Sequence, residues 1–133
     1  MNLAQVIHQR WAAAAALNAL LPAARVYTGM SVDPTVPFAT INKESERPAA
    51  YLNDGSSVAT VGLRIDVFHA QHDAAAAIVA QIKAVFDRSA FALAGSDKVV
   101  DVLWVNDFER QTADSVWQCT CELNCTVQLA AGQ

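Results

Sequence analysis

Charge of either sign is sparse in this sequence, and glycine, proline and cysteine are few. Charged residues make up 17% of the chain, 9 Lys and Arg against 13 Asp and Glu, for a formal net charge of −4. No basic cluster stands anywhere, which disfavours a groove for nucleic acid phosphates, so sequence-specific nucleic acid is not an expected partner. The 5 glycines are scattered and build no phosphate-cradling loop. Ser56, Ser57 and Ser96 lack the strand-turn-helix setting of an activated nucleophile. The apolar run Trp11 to Leu21 is too short to span a bilayer, which takes about 20 residues, and no membrane partner is expected. An odd count of 3 cysteines without framework spacing suits a reducing compartment. There is no internal repeat and no linker, so the 133 residues read as one domain, 1–133.

What is present is organised around one stretch. Trp117, Cys119, Cys121, Leu123, Cys125, Val127 and Leu129 occupy alternate positions, with polar residues between them. A period of two means a long β-strand with one face on a core. All the cysteines lie in it, and their spacing invites a zinc reading. In a strand, Cα atoms two residues apart are about 6.6 Å apart, so Cys119 and Cys125 are separated by about 20 Å. One zinc ion with bonds of about 2.3 Å cannot gather them. Nor can Cys119 and Cys121 form a relaxed disulfide in an extended strand. Core packing is the expected role, and no cofactor is expected.

The other elements follow from period and punctuation. Leu3, Val6, Ile7, Arg10, Trp11, Ala14, Leu17 and Leu21 recur at helical spacing, which predicts one amphipathic helix from Asn2, as N-cap, to Leu21, stopped by Pro22. The same region has the outline of a cleavable leader, with Pro22-Ala23-Ala24 after an apolar run. Only Arg10 supplies firm positive charge ahead of that run, and a retained helix accounts for more residues. Short strands are expected at Arg25–Met30 and Phe38–Asn42, with a turn-rich connection between them.

Lys43–Ser57 reads as a solvated loop or the tip of a long hairpin, with Asp54-Gly55 as a turn signal. A sharper reading makes it an arm that orders against a partner. Val58–His69 is a second strong strand. Val61, Leu63, Ile65 and Val67 face one way; Arg64, Asp66 and Phe68 face the other. A helix capped by Asp73 runs to about Arg88, with Ala75, Ile78, Ile82, Val85 and Phe86 as its apolar stripe. Val99–Phe108 is apolar on both faces, as in a central strand or an oligomer contact, with Val100, Val102, Trp104 and Phe108 on one parity. Glu109–Asp114 links it to the cysteine strand as a hairpin. The fold class is therefore α+β. It has a mostly antiparallel sheet of about four to five strands packed by two helices, in the order α-β-β-β-α-β-β.

Candidate chemistry is thin. His69, His72 and Asp73 cluster where a strand meets a helix, a setting that hosts metal or acid–base sites. No third ligand follows from spacing, and turn residues plus a helix cap account for them. His8 falls on the polar side of the first helix, where it is expected to be solvated. Asp101, Asp107, Glu109 and Asp114 fit a charged strand edge better than a catalytic pair. A ligand-binding or adaptor domain is the alternative function, using a pocket on the second sheet face around Phe68 and Trp104.

Several stretches together resemble a known family. They are the Ala-rich opening helix ending in Leu20-Leu21-Pro22, then Arg25-Val26-Tyr27-Thr28-Gly29, then Val36-Pro37-Phe38-Ala39-Thr40-Ile41. Leu63-Arg64-Ile65-Asp66-Val67-Phe68, running into the Ala75–Phe86 helix, and Phe91-Ala92-Leu93-Ala94-Gly95 complete the set. In this order they resemble the tail completion proteins of tailed phages and prophages, of the lambda tail-terminator-like kind. The resemblance covers nearly the whole chain. It implies a structural, non-enzymatic protein located in the virion tail and made in the bacterial host cytoplasm. It also implies a homo-oligomeric ring, commonly hexameric, that caps the head-proximal end of the tail tube. The implied partners are further copies of the chain, the tail tube protein and a head-tail connector or neck protein. Lys43, Glu44, Glu46, Arg47, Tyr51, Asp54, Arg64 and Asp66 are the candidate subunit or partner contacts.

Overall fold

A computed structural model describes residues 1–112 and 114–131. The element order is α1 (Leu3–Ala13), α2 (Ala15–Leu20), a 3-10 turn (Ala23–Arg25), β1 (Val26–Thr28), β2 (Phe38–Tyr51) and β3 (Ser57–His69). It continues with α3 (His72–Phe86), β4 (Phe91–Ala92), β5 (Lys98–Gln111) and β6 (Trp117–Leu129). The fold is α+β and its sheet is mostly antiparallel, as expected. The sheet has 6 strands in the order β1-β2-β3-β6-β5-β4, more than the four to five read from the sequence, because the short β1 and β4 flank four long strands.

The opening helix is not continuous. It breaks at Ala14, which is extended at φ −85 and ψ 97. Alanine has the highest helix propensity, so the break follows from packing and not from local preference. The break turns α2 back onto α3 and leaves Ile7, Trp11, Leu17 and Leu21 fully buried. The Trp11 indole N–H donates to the Leu21 carbonyl at 2.8 Å and closes the turn. His8 is not simply solvated: its Nε2 donates to the Ala23 carbonyl at 2.7 Å. Asn2 sits at the N-cap position without capping; its side-chain oxygen instead accepts from the Ala94 amide at 2.8 Å. Asp73 is likewise in the first turn of α3 and not its cap, which is Gln71.

The two strong sequence stripes meet in the core. Val61, Leu63, Ile65 and Val67 of β3 pair with Cys125, Leu123, Cys121 and Cys119 of β6. All are buried beneath α1 and α3. Each large side chain so covered contributes about 1.5–3 kcal/mol. The three cysteines are free and buried, and burial pushes the Cys121 and Cys125 thiols up to about 12 and Cys119 to about 11. They serve as small apolar residues.

Two boundaries depart from the sequence reading. β2 does not stop at Asn42 but runs on to Tyr51, so most of Lys43–Ser57 is strand, and the loop is confined to the turn after Tyr51. Charge and Pro48 concealed it, since an exposed edge tolerates both. That turn is closed by Leu52 N–H to Ser56 C=O at 2.9 Å, and Asp54 accepts the Ser56 amide and hydroxyl. Gly55, at φ 87, supplies the left-handed position the turn requires. β5 likewise begins at Lys98 and ends at Gln111.

Candidate interaction surface

The sheet has two faces and two margins, and side-chain position follows from the register. Residues paired with Cys119, Cys121, Leu123, Cys125 and Val127 face the helices, and residues paired with Gln118, Thr120, Glu122 and Asn124 face the open side. Bulges interrupt β5 at Val100 and Val105. Each extra residue flips the strand behind it. Trp104 therefore faces the helices beside Leu123, and Phe108 faces the open side beside Thr120. The single parity read from the sequence for these two is incorrect. The expected pocket around Phe68 and Trp104 fails for the same reason, since Phe68 pairs with Gln118 on the open side.

On the open face a polar cluster is held together by Asp66. Its carboxylate accepts from Arg64 Nε at 3.0 Å, Gln118 Nε2 at 3.0 Å and the Thr120 hydroxyl at 2.5 Å. Asp66 and Thr120 are 6% and 1% exposed although no helix covers them. The surrounding side chains shield them: Arg64 lies over the Phe108 ring at 5.3 Å, and Arg110 bonds Gln118 at 3.1 Å. Arg64 is raised above its ordinary range, chiefly by its bond to Asp66. Glu44 reaches Arg64 at 3.8 Å, and burial followed by neighbouring Glu122 raises its carboxyl.

The helix side of the β5–β6 hairpin is tied down by ion pairs. Lys83 meets Asp107 at 2.5 Å and lies over the Trp104 ring at 4.2 Å. His72 Nε2 meets Glu109 at 2.8 Å, and its ring packs edge-on to Trp117 at 4.7 Å. Glu109, then Asp73, raises the His72 pKa. Between α3 and this hairpin lies a groove of about 330 Å³ lined by Ala76, Val79, Lys83, Asp107, Glu109 and Cys119. His69, by contrast, accepts the Gln71 amide at 3.0 Å and stands apart from His72. Among the described residues no group of His, Cys, Asp or Glu is placed to hold a metal ion.

The margins differ from the faces because they leave backbone groups unpaired. β1 covers β2 only at Ala39–Ile41, and β4 covers β5 only at Lys98 and Val99. Next to β4, the Val102 carbonyl takes the Arg88 amide at 2.6 Å and the Trp104 amide reaches Asp87 at 2.8 Å. Beyond these, among the described residues, Lys43–Tyr51 on one margin and Asn106–Gln111 on the other find no further strand. Exposed apolar side chains gather at the second margin: Leu103 41%, Trp104 43%, Val105 51% and Phe108 43%.

Of the expected contact residues, Lys43, Glu44, Glu46, Arg47 and Tyr51 lie along the free β2 margin, and Asp54 lies in the turn that follows. Lys43 pairs with Glu46 at 2.8 Å and Tyr51 is 79% exposed. Arg64 and Asp66 belong to the open-face cluster on β3, joined to this margin by the Arg64–Glu44 ion pair at 3.8 Å. The sequence reading did not single out Met30 and Val32, each 88% exposed on the loop after β1. That loop is held by Arg25, which donates to the carbonyls of Asp33, Thr35 and Pro37. Its signal was available as two apolar residues among turn formers.

Residues 5–128 match the family described as tail completion protein gp17. Among solved structures, a chain from "Virion of native gene transfer agent (GTA) particle" superposes with a TM-score of 0.71. The match covers 92% of this chain and 91% of that chain at 17% sequence identity, a likeness of fold. No curated protein sequence matches the chain.

Proposed function

This chain belongs to the tail completion protein gp17 family, and on that premise we propose that it closes into a homo-oligomeric ring on the head-proximal end of a phage tail tube. Family membership makes it a structural component of the phage tail. The ring stops tube polymerisation and presents a surface to the head connector or neck. A hexamer is the expected size.

The observation that carries this reading is the pair of unpaired margins on opposite sides of one sheet. Free strand edges invite pairing, and proteins ordinarily blunt them. Two different margins on one subunit make a head-to-tail contact, and such contacts close into rings when the rotation permits. Strand polarity allows it, because β2, β3, β6 and β5 alternate in direction across the sheet. A further copy placed alongside continues the alternation. Lys43, Glu44, Glu46, Arg47, Tyr51 and Asp54 then line one side of the joint or the contact to the tube.

Catalysis has no part in this role, and the ion pairs around His72 and Lys83 serve to hold the hairpin against α3. The test is assembly of tail tubes with and without the chain. Capped tubes of uniform length support the proposal; tubes that grow without limit in its presence count against it.

A further inference from the structure

The geometry points to a particular joint between copies: β1 of one subunit adds antiparallel to Asp107–Glu109 of the next, with Tyr27 set against the partner's Phe108. This rests on the ring reading and names its contact.

Three independent features of the ladder agree. The first is phase. Gly29 donates its amide to the Ile41 carbonyl at 3.1 Å, and Tyr27 pairs with Thr40. In a parallel ladder this means Tyr27 and Gly29 point their backbone groups at β2, and Thr28 points both of its own outward. Val26 also points outward by the same alternation, its amide closing the 3-10 turn onto Ala23. On β5, Val102 and Trp104 point outward, as their bonds to Arg88 and Asp87 show. The bulge at Val105 reverses the alternation, so Asp107 and Glu109 point outward below it.

The second feature is level. The registers place Thr28, Ile41, Ile65, Cys121 and Asp107 on one line across the sheet. Val26, Ala39, Val67, Cys119 and Glu109 share another. A neighbour set alongside with no axial offset brings Thr28 opposite the partner's Asp107 and Val26 opposite the partner's Glu109. Both pairs have outward backbone groups facing one another. β1 runs with β2 and so runs against the partner's β5, as an antiparallel pair requires.

The third is outline. β1 projects beyond β2 near one end of the sheet, and β4 projects beyond β5 near the other. The two margins are therefore complementary steps. The partner's β4 enters the recess at the level of Pro48 and Ala50, where proline has no amide to leave unpaired.

Side chains fit the same placement. Tyr27 and Phe108 both lie on the open face at the level of Thr40, Asp66 and Thr120. They would form a non-hydrogen-bonded cross-strand aromatic pair, in which side chains approach most closely. Met30, 88% exposed, follows directly after β1, and Val105 and Trp104 are exposed on the partner's margin, so apolar groups are available on both sides.

The experiment is site-directed crosslinking in the full chain. A Tyr27→Cys, Phe108→Cys double variant is compared with each single variant and with an offset pair, Tyr27→Cys with Arg110→Cys. The native cysteines are buried with strongly raised pKa values, about 11 to 12, and stay silent in folded protein. Oxidised rings, free or on tail ends, should lose their monomer band to a covalent ladder in the double variant alone. The longest rung counts the subunits. Rings seen by electron microscopy without that ladder, or with the ladder only in the offset pair, overturn this joint and leave the ring reading intact. Native chain that stays monomeric in solution and on tubes overturns both. If the double variant fails to fold, Thr28→Cys with Asp107→Cys carries the same comparison on the adjacent level.

Discussion

Thr120 donates its hydroxyl proton to the Asp66 carboxylate at 2.5 Å, joining β3 to β6 on a face that no helix covers. The two residues are 54 positions apart in the chain. Asp66 also takes Arg64 and Gln118, so one buried carboxylate collects donors from both central strands. Thr120→Val keeps the shape and removes one donor. It should lower stability by about 1–3 kcal/mol, the cost of an under-satisfied buried acceptor. Asp66→Ala should cost more, since Gln118 and Thr120 then lose their common acceptor. Urea unfolding of both variants checks the order.

Much of this was legible in the sequence and part was not, for one physical reason. Strands buried on one face announce themselves by alternation, and Val58–His69 and Trp117–Leu129 did so. Strands at a margin need no such pattern. β2 carries Lys43, Glu44, Glu46, Arg47 and Pro48 through an exposed stretch, and local chemistry there reads as loop. Only its pairing with β3, from Phe38 opposite Phe68 to Tyr51 opposite Ser57, makes it a strand. The Val105 bulge was equally silent, and it moved Trp104 and Phe108 to opposite faces. The sheet margins are thus the part of the fold least visible beforehand.

His72 gives the β5–β6 hairpin a pH dependence. Its pKa in the folded chain is raised by Glu109 and Asp73 above the ordinary 6.5. A raised folded value means protonation favours the fold. The contribution is full below about 6.5 and is lost as pH rises through the folded value. His72→Gln should flatten stability over that window, and Glu109→Gln should do the same. Urea midpoints across a pH series, read through Trp117 fluorescence, report it; an unchanged slope in both variants contradicts the ion pair.

Trp11 closes the broken opening helix. Trp11→Phe keeps most of the apolar volume but leaves the Leu21 carbonyl without its donor. A loss of about 1–3 kcal/mol is expected, with α2 loosened before the sheet. Hydrogen exchange of residues 15–20 against β6 amides distinguishes that local loss from global unfolding.

The 3 cysteines should be inert to a thiol reagent in native protein and react fully after denaturation. Their burial and raised pKa values together set this expectation. Rapid modification of folded chain would mean that β6 is not the sheet's covered centre.

The ring itself is the claim on which the functional account depends, and cryo-electron microscopy of tail tubes assembled with this chain addresses it most directly. The account predicts one closed ring at the head-proximal end of each tube, its subunits joined sheet to sheet. Tube ends that are bare, or decorated by isolated subunits whose sheet margins touch nothing, would contradict it.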